Sequence, residues 1–343
     1  MSFISYLHKA VNRENLSCAE AQLVMELILS GSATTAQIAG FLVALRMKGE
    51  TPDELVGFAR AMRAKSVKVK TGITGEPLID TCGTGGDGSC TFNISTVCAF
   101  VVAGAGVKVA KHGNRSLSSQ CGSADILEAL GVNLTMSPAQ IARSVREVGI
   151  GFMLAPAMHP AMKHAQPARV DLKMRTAFNL LGPLVNPAGP TAQVVGAPSI
   201  RAAELMAEAL ASLGLHRGFI VHGLDGLDEI TTTTETRVLE IRGGAIAEHT
   251  VCPDDFGVPT SKPEDLKGAD KGTNAEIAME ILNGATGPKR DIVLVNASVA
   301  LVAAGKAVDY KDGVRIAGQS IDSGCALGKL KQMSAFSQAA ATA

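Results

Sequence analysis

Through the first sixty-odd residues apolar side chains recur at helical spacing. Ala21, Leu23, Val24, Leu27 and Ile28 form one set, Ile38, Phe41, Leu42 and Leu45 a second, and Leu55, Phe58, Ala59 and Met62 a third. Ser17, Thr34 and the Thr51-Pro52 pair are suitable helix starts, since Pro fits a first helical turn. The pattern predicts a small helical unit that ends at a break over 72–77. From Pro77 onward it changes to short apolar runs alternating with helical stretches. PLIDT (77–81), VKVAK (107–111), NLTM (133–136), GIGFMLAP (149–156), GFIVHG (218–223) and DIVLVNA (291–297) read as strands. Residues 97–105, 123–131 and 201–213 read as helices. The expected fold class is α/β: a small N-terminal helical domain plus a larger α/β domain, its mostly parallel central sheet covered by helices.

Composition narrows the function. The chain has 343 residues, 46% of them hydrophobic and 19% charged, which suits a soluble globular protein. With 32 basic and 32 acidic side chains the formal net charge is zero, which argues against a nucleic-acid binder. The apolar run 97–107 is too short to span a bilayer, so no membrane partner is expected. Residues 1–15 show neither an apolar h-region nor a small-residue cleavage site, so no signal peptide is expected there. Seven cysteines without a CxxC pair, among them Cys82, Cys90 and Cys98, suggest free thiols and a cytoplasmic location.

The stretch 80–96, DTCGTGGDGSCTFNIST, satisfies GxGxxG at Gly83, Gly85 and Gly88. A dinucleotide fingerprint also needs a helix starting at the last glycine and an acid about 20 residues on. Here SCTFN intervenes before a helix can begin, and the next acidic residue after Asp87 is Asp125. What remains is backbone access: Gly83, Gly85, Gly86 and Gly88 let main-chain N–H groups approach an anion. Asn93, Ser95 and Thr96 are expected to cap a helix whose N-terminus favours phosphate.

Three further segments carry candidate chemistry. KHGNRSLSSQCGSAD (111–125) follows a predicted strand and offers Lys111, His112 and Arg115 as cations, with Asn114, Ser118, Ser119 and Ser123 as hydrogen-bonding groups. Beside the glycine loop it suits a ligand with more than one phosphate. Residues 152–189 combine His159, Lys163, His164 and Arg169 with Phe178, Leu180, Leu181 and Pro183, a mixture suited to an aromatic acid. Arg175 in that segment reads as structural. Asp228 and Glu229, after GFIVHG, can hold Mg²⁺.

Together GTGGDG with TFNIST, KHGNR with SS and GSAD, HPAMK (159–163), Arg169, RTAFNLLGPLVNP (175–187) and GLDE (226–229) resemble the anthranilate phosphoribosyltransferase family of tryptophan biosynthesis. The N-terminal helices and IDSGCALGKL (321–330) are similar to it too, while Lys173 stands where that family often has Gly. The resemblance implies a nucleoside-phosphorylase-like fold with residues 1–72 as the helical domain, joined by a segment near 165–190, and 73–343 as the α/β domain. It implies phosphoribosyl pyrophosphate (PRPP) and anthranilate as substrates and a homodimer paired through the helical domain. Gly83, Gly86, Asp87, Thr91, Asn93, Ile94, Ser95, Thr96, Lys111, His112, Gly113, Asn114, Arg115, Ser118, Ser119 and Ser123 are then expected to bind PRPP. Gly83, Asn114 and Arg169 are expected to contact anthranilate, with His112, His159 and Pro183 nearby. Ser95, Asp228 and Glu229 match metal positions, implying two Mg²⁺ ions per site.

Catalysis should be electrostatic, through Lys111 and bound Mg²⁺, with His112 the only candidate base. Two rival readings stay open: a pyrimidine nucleoside phosphorylase, and a non-enzymatic nucleic-acid-binding relative of the same fold.

Overall fold

The computed structural model describes residues 2–116 and 121–341; Ser118 and Ser119 lie outside the described residues. Four helices come first: α1 (Phe3–Val11), α2 (Cys18–Leu29), α3 (Thr35–Lys48) and α4 (Pro52–Lys65). Ser17, Thr34 and Thr51 each begin one as half of a capping box, answered by Glu20, Gln37 and Glu54. Glu54 does more than cap. Its carboxylate is fully buried and accepts from Leu16 N (2.9 Å), Thr51 N (2.9 Å) and Lys48 Nζ (3.0 Å). One side chain thus fastens the α1–α2 connection, the end of α3 and the start of α4.

Beyond the helices lies a sheet ordered β3-β2-β1-β4-β5-β6-β7. Its strands are β1 (Leu78–Gly83), β2 (Lys108–Gly113), β3 (Ile150–Leu154), β4 (Ala192–Gly196), β5 (Arg217–Gly223), β6 (Thr236–Arg242) and β7 (Ala245–Val251). The first five are parallel, and β6 and β7 extend the sheet antiparallel. Alternate side chains feed two cores. Val194, Phe219, Val221 and Val238 face a core shared with α5 (Ile94–Gly104) and the helices Pro288–Ala303, Tyr310–Asp322 and Cys325–Ala341. Val195, Ile220 and Leu239 face the helix Ile200–Ser212, which packs on α4 and shares its core with the N-terminal helices. Ala165, Ala168, Ala177, Phe178, Leu181, Leu184 and Val185 join that second core, so the 165–185 segment packs with the N-terminal helices.

Several expectations need correction. Residues 291–297 are not a strand but lie within the helix Pro288–Ala303, which is buried around its circumference from Ile292 to Ala303. A helix buried on all sides shows the same unbroken apolar run as a buried strand. NLTM is not a strand either: Asn133 Oδ1 accepts from Thr135 N (2.9 Å) and Oγ1 (2.8 Å), closing a local turn. β4, β6 and β7 were not anticipated. Helix α5 starts at Ile94 and its N-cap Asn93 makes no side-chain cap bond. Asn93 instead donates to Cys121 O (3.1 Å) and accepts from Asn274 Nδ2 (3.2 Å). Ser95 and Thr96 lie inside the first turn rather than before it.

Removing the Glu54 carboxylate takes the ion-pair partner from Lys48, which keeps only the neutral acceptors Asn15 Oδ1 and Gly49 O, and leaves the N–H groups of Leu16 and Thr51 unanswered. Glu54→Ala is therefore expected to cost about 3–5 kcal/mol, read as a lowered urea midpoint in the far-ultraviolet circular dichroism; an unchanged midpoint would refute this role.

Candidate active site

The parallel strands β2, β1 and β4 are neighbours, so their carboxyl ends form one edge, and the chain order reverses between β1 and β4. Ligands of open α/β sheets bind at such a switch point. The glycine loop leaves β1 there, and the loop after β5 folds over to meet it. That approach requires bare strand ends. Gly83 and Gly196 are register partners at the ends of β1 and β4. A Cβ on Gly196 would overlap the Asp228 carbonyl oxygen, and one on Gly83 would stand 2.6 Å from Asp228 Oδ2. Asp228 Oδ2 accepts from Gly85 N (2.8 Å) and Glu229 Oε1 from Ser95 N (3.2 Å). Asn296, on the helix behind, clasps both the N–H and the carbonyl of Ile230 at 2.8 Å and holds this loop in place.

Both carboxylates resist ionisation. Burial, then the charge of Asp87, pushes Asp228 up to about 7. Burial, then Asp228, pushes Glu229 well above the usual carboxylate range. Beneath them Lys111 is buried, donating to Thr81 O, and to Ser95 O and Oγ at 3.3 Å each. Its positive charge offsets Glu229 and the fully buried Asp80. Asp80 was not singled out from the sequence. It accepts from His112 N (3.3 Å) and Asn186 Nδ2 (2.8 Å), and so ties β1 to β2 under the site.

In the glycine loop, Gly85, Gly86 and Gly88 all have positive φ. Ser89 N and Oγ both donate to the Asp87 carboxylate. Thr91 is stapled by an antiparallel bridge to Lys267. Ile94 is buried with its N–H given to Phe92 O (2.8 Å), so it offers the edge neither side chain nor donor. The Thr96 hydroxyl is buried without a partner. On the next strand end, bare Gly113 leaves room for Ser123 Oγ, which accepts from Asn114 N (3.2 Å). Arg115 is turned away: its guanidinium pairs with Asp125 (3.0 Å) and Glu128 (2.7 Å).

Arg175, read from the sequence as structural, is bonded to the glycine loop. Nη1 donates to Gly85 O (2.5 Å), and Nη2 lies 3.4 Å from Thr84 Oγ1. Lys173, at the end of the helix Gln166–Leu172, adopts φ +47, a left-handed turn that sends the chain back toward the glycine loop. The signal was available in that position, where the resembling family often has Gly.

The expected aromatic-acid residues fall into two contacting pairs, Arg169 with Phe178 and His112 with His159. The Arg169 guanidinium lies 5.4 Å from the Phe178 ring centroid, and burial lowers its pKa. Among the described residues no carboxylate pairs with it, so its donors are available to a ligand acid. Pro183 is buried, its carbonyl accepting from Gln193 Nε2 (2.9 Å). The His112 and His159 rings stand 5.2 Å apart and donate to the backbone at Gly182 and Val185. Nε2 of each is buried without a partner.

Burial, then His159, lowers His112 to about 3; burial, then Lys68, lowers His159 to about 4. Both rings stay neutral in the folded chain while the unfolded chain takes up protons below about 6.5. Their contribution to stability is complete above that pH and is lost as pH falls toward 4. Asp228 and Glu229, raised in the folded chain, act with the opposite sign, so the test is differential: the melting temperature of His159→Gln relative to the unaltered protein should rise as pH falls from 6.5 to 4, and a constant difference would refute the assignment.

Residues 75–327 match a glycosyl transferase family, a/b domain, and residues 4–66 match the helical bundle domain of the same family. The anthranilate phosphoribosyltransferase of Solibacter usitatus is 61% identical, over 98% of this chain and 99% of that protein. The enzyme of that name from Geobacter sulfurreducens is 51% identical, over 95% and 96%. Among solved structures, anthranilate phosphoribosyltransferase from Thermus thermophilus superposes with TM-score 0.91 at 42% identity, over 97% of this chain and 99% of that one. The Saccharomyces cerevisiae enzyme in complex with PRPP and Mg gives TM-score 0.91 at 28% identity, over 98% of both chains. With both domains matched and identity sustained along almost the whole length of its relatives, the chain belongs to the anthranilate phosphoribosyltransferase family.

Proposed function

We propose that the protein transfers the phosphoribosyl group of PRPP to anthranilate, releasing pyrophosphate and giving N-(5-phosphoribosyl)anthranilate in tryptophan biosynthesis. The observation that carries this reading is the meeting of Asp228 and Glu229 with the glycine loop across the β1–β4 switch point. It puts carboxylates beside a phosphate cradle, as a metal-assisted pyrophosphate departure demands. The Saccharomyces cerevisiae enzyme is known both with PRPP and Mg and with 4-fluoroanthranilate.

The donor set suits Mg²⁺. Ser95, Asp228 and Glu229 offer only oxygen, and the two carboxylates accept bonds from N–H groups. Mg²⁺ binds through one or two carboxylates and completes its shell with water and substrate phosphate. Two ions per site are part of the reading. When bound there, Mg²⁺ supplies positive charge against the diphosphate. The remaining work falls to the chain. Loop N–H groups from Gly86 to Gly88 and the Asn114 side-chain amide hold the phosphates, with Lys111 adding charge from below. Arg169 pairs with the anthranilate carboxylate, its guanidinium lying over the Phe178 ring. The amine nitrogen bonds to ribose C1 as the C1–O bond to pyrophosphate breaks, and the nitrogen then sheds a proton. His112 is neutral at physiological pH, and the aromatic amine is already nucleophilic, so positioning outweighs base strength.

The reading includes a homodimer through the helical domain. Ile4, Val11, Leu23 and Met47 support it, as exposed apolar side chains on α1–α3. The unbridged thiols of Cys82, Cys90 and Cys98 support a cytoplasmic setting, and no helix among the described residues is long and apolar enough to cross a membrane.

Loss of anthranilate fluorescence on mixing protein, PRPP and Mg²⁺ tests the reaction; turnover of thymidine or uridine with phosphate instead would overturn it. Arg169→Ala should raise the anthranilate KM by about 10- to 100-fold through one lost charge-assisted contact, leaving the PRPP KM within a few-fold. Equal effects on both substrates would sink its role. Asp228→Ala combined with Glu229→Ala should lower Mg²⁺-dependent turnover by roughly a hundredfold or more, and persistence of full turnover would remove the metal assignment.

A further inference from the structure

Gly85 is held from both sides. Its N–H goes to Asp228 Oδ2 at 2.8 Å, and its carbonyl receives Arg175 Nη1 at 2.5 Å. The two partners come from different parts of the molecule. Asp228 stands on the loop after β5. Arg175 stands between the helix Gln166–Leu172, which packs on α3, and the helix Ala177–Leu181, which packs on α3 and α4. Arg175 also lies over Gly86, where a Cβ would overlap Nη1. The carboxylates of Asp228 and Asp87 act on the guanidinium electrostatically. Arg175 is half-buried and makes no ion pair shorter than 4 Å among the described residues, so its orientation rests on the loop contacts.

We propose that Arg175 is a positioning residue that clasps the glycine loop to the helical domain through Gly85, and that its charge serves as the resident counter-cation of the Asp87–Asp228 pair until a metal ion arrives. The second half rests on the reading of Asp228 and Glu229 as metal ligands; the first does not. The physical consequence is a competition. A cation entering beside Asp228 repels the guanidinium and draws the carboxylate away from Gly85 N–H, so both halves of the clasp loosen together. The loop is thereby held while the site lacks metal and released to wrap the diphosphate when metal and substrate enter. The left-handed turn at Lys173 gives Arg175 the chain direction it needs to reach across.

The test uses full-length protein without ligands. Hydrogen–deuterium exchange of Arg175→Gln should be faster at residues 83–90 by roughly tenfold, with α1–α4 unchanged. Arg175→Lys keeps the charge and one donor and should restore part of the protection. Unchanged exchange at 83–90, or acceleration spread evenly over α1–α4, would overturn the clasp, the latter marking a merely structural residue. Mn²⁺ titration followed by electron paramagnetic resonance tests the charge. Arg175→Gln should bind Mn²⁺ several-fold tighter than the unaltered protein, since a competing cation has gone; equal or weaker binding would overturn that half. If neither protein binds Mn²⁺ while exchange at 83–90 still responds, the metal reading fails and the clasp stands.

Discussion

Asp228 can reach the glycine loop only because the two strands it crosses end without a Cβ. Gly83 and Gly196 are neighbours in register, and Asp228 fills the space their side chains would need, with its carboxylate at Gly83 and its carbonyl at Gly196. Much else follows from that close approach. It brings the loop after β5 across the switch point and puts Glu229 against the first turn of α5. It also leaves two carboxylates in surroundings that oppose their ionisation. A sheet of the same order with alanine at either position would have to move this loop away, and the phosphate cradle would lose its acidic wall.

The charges around that wall are arranged unevenly. Lys111 lies beneath it, fixed by three oxygen acceptors, and Arg175 lies above it, held chiefly by the glycine loop. The lower cation cannot leave without stranding a buried ammonium, whereas the upper one can swing out into water at modest cost. Carboxylates crowded together with too little counter-charge destabilise the folded chain. Such unresolved electrostatics at the carboxyl edge of a sheet is what a site that binds a cation looks like before it does so.

What could be read from the sequence followed from how local each feature is. Ser17, Thr34 and Thr51 announced their helices because a capping box is written in four consecutive residues. The parallel strands β1, β2, β3 and β5 were legible as short apolar runs, but DIVLVNA looked the same and is helical, because burial on every side erases periodicity. Asn133 and Asn93 behaved otherwise than expected through bonds to Thr135, Cys121 and Asn274; the first is local, the others are partners that only the fold brings near. Asp80, Asn186 and Arg175 matter for the same reason: each acts on a segment 32 or more residues away. Arg115 shows the reverse error. Its place in a basic run suggested a ligand contact, yet Asp125 and Glu128 on the adjoining helix take its charge.

The comparison with a dinucleotide fold is sharpest at α5. In that fold the helix N-terminus receives the ligand's pyrophosphate directly. Here Ser95 N–H already serves Glu229, and Asn93 turns its side chain toward Cys121 and Asn274. The positive end of the helix is therefore spent on a protein carboxylate rather than on a phosphate. Burial still keeps Glu229 well above the usual range, so the dipole moderates the cost of charging it without abolishing it. In the proposed site the phosphate donors then come from the loop beyond Gly85, whose own N–H goes to Asp228, with Gly86 and Gly88 at positive φ. The insertion of SCTFN between Gly88 and the helix fits this division: it sets the glycine loop apart from the helix end, which Glu229 occupies.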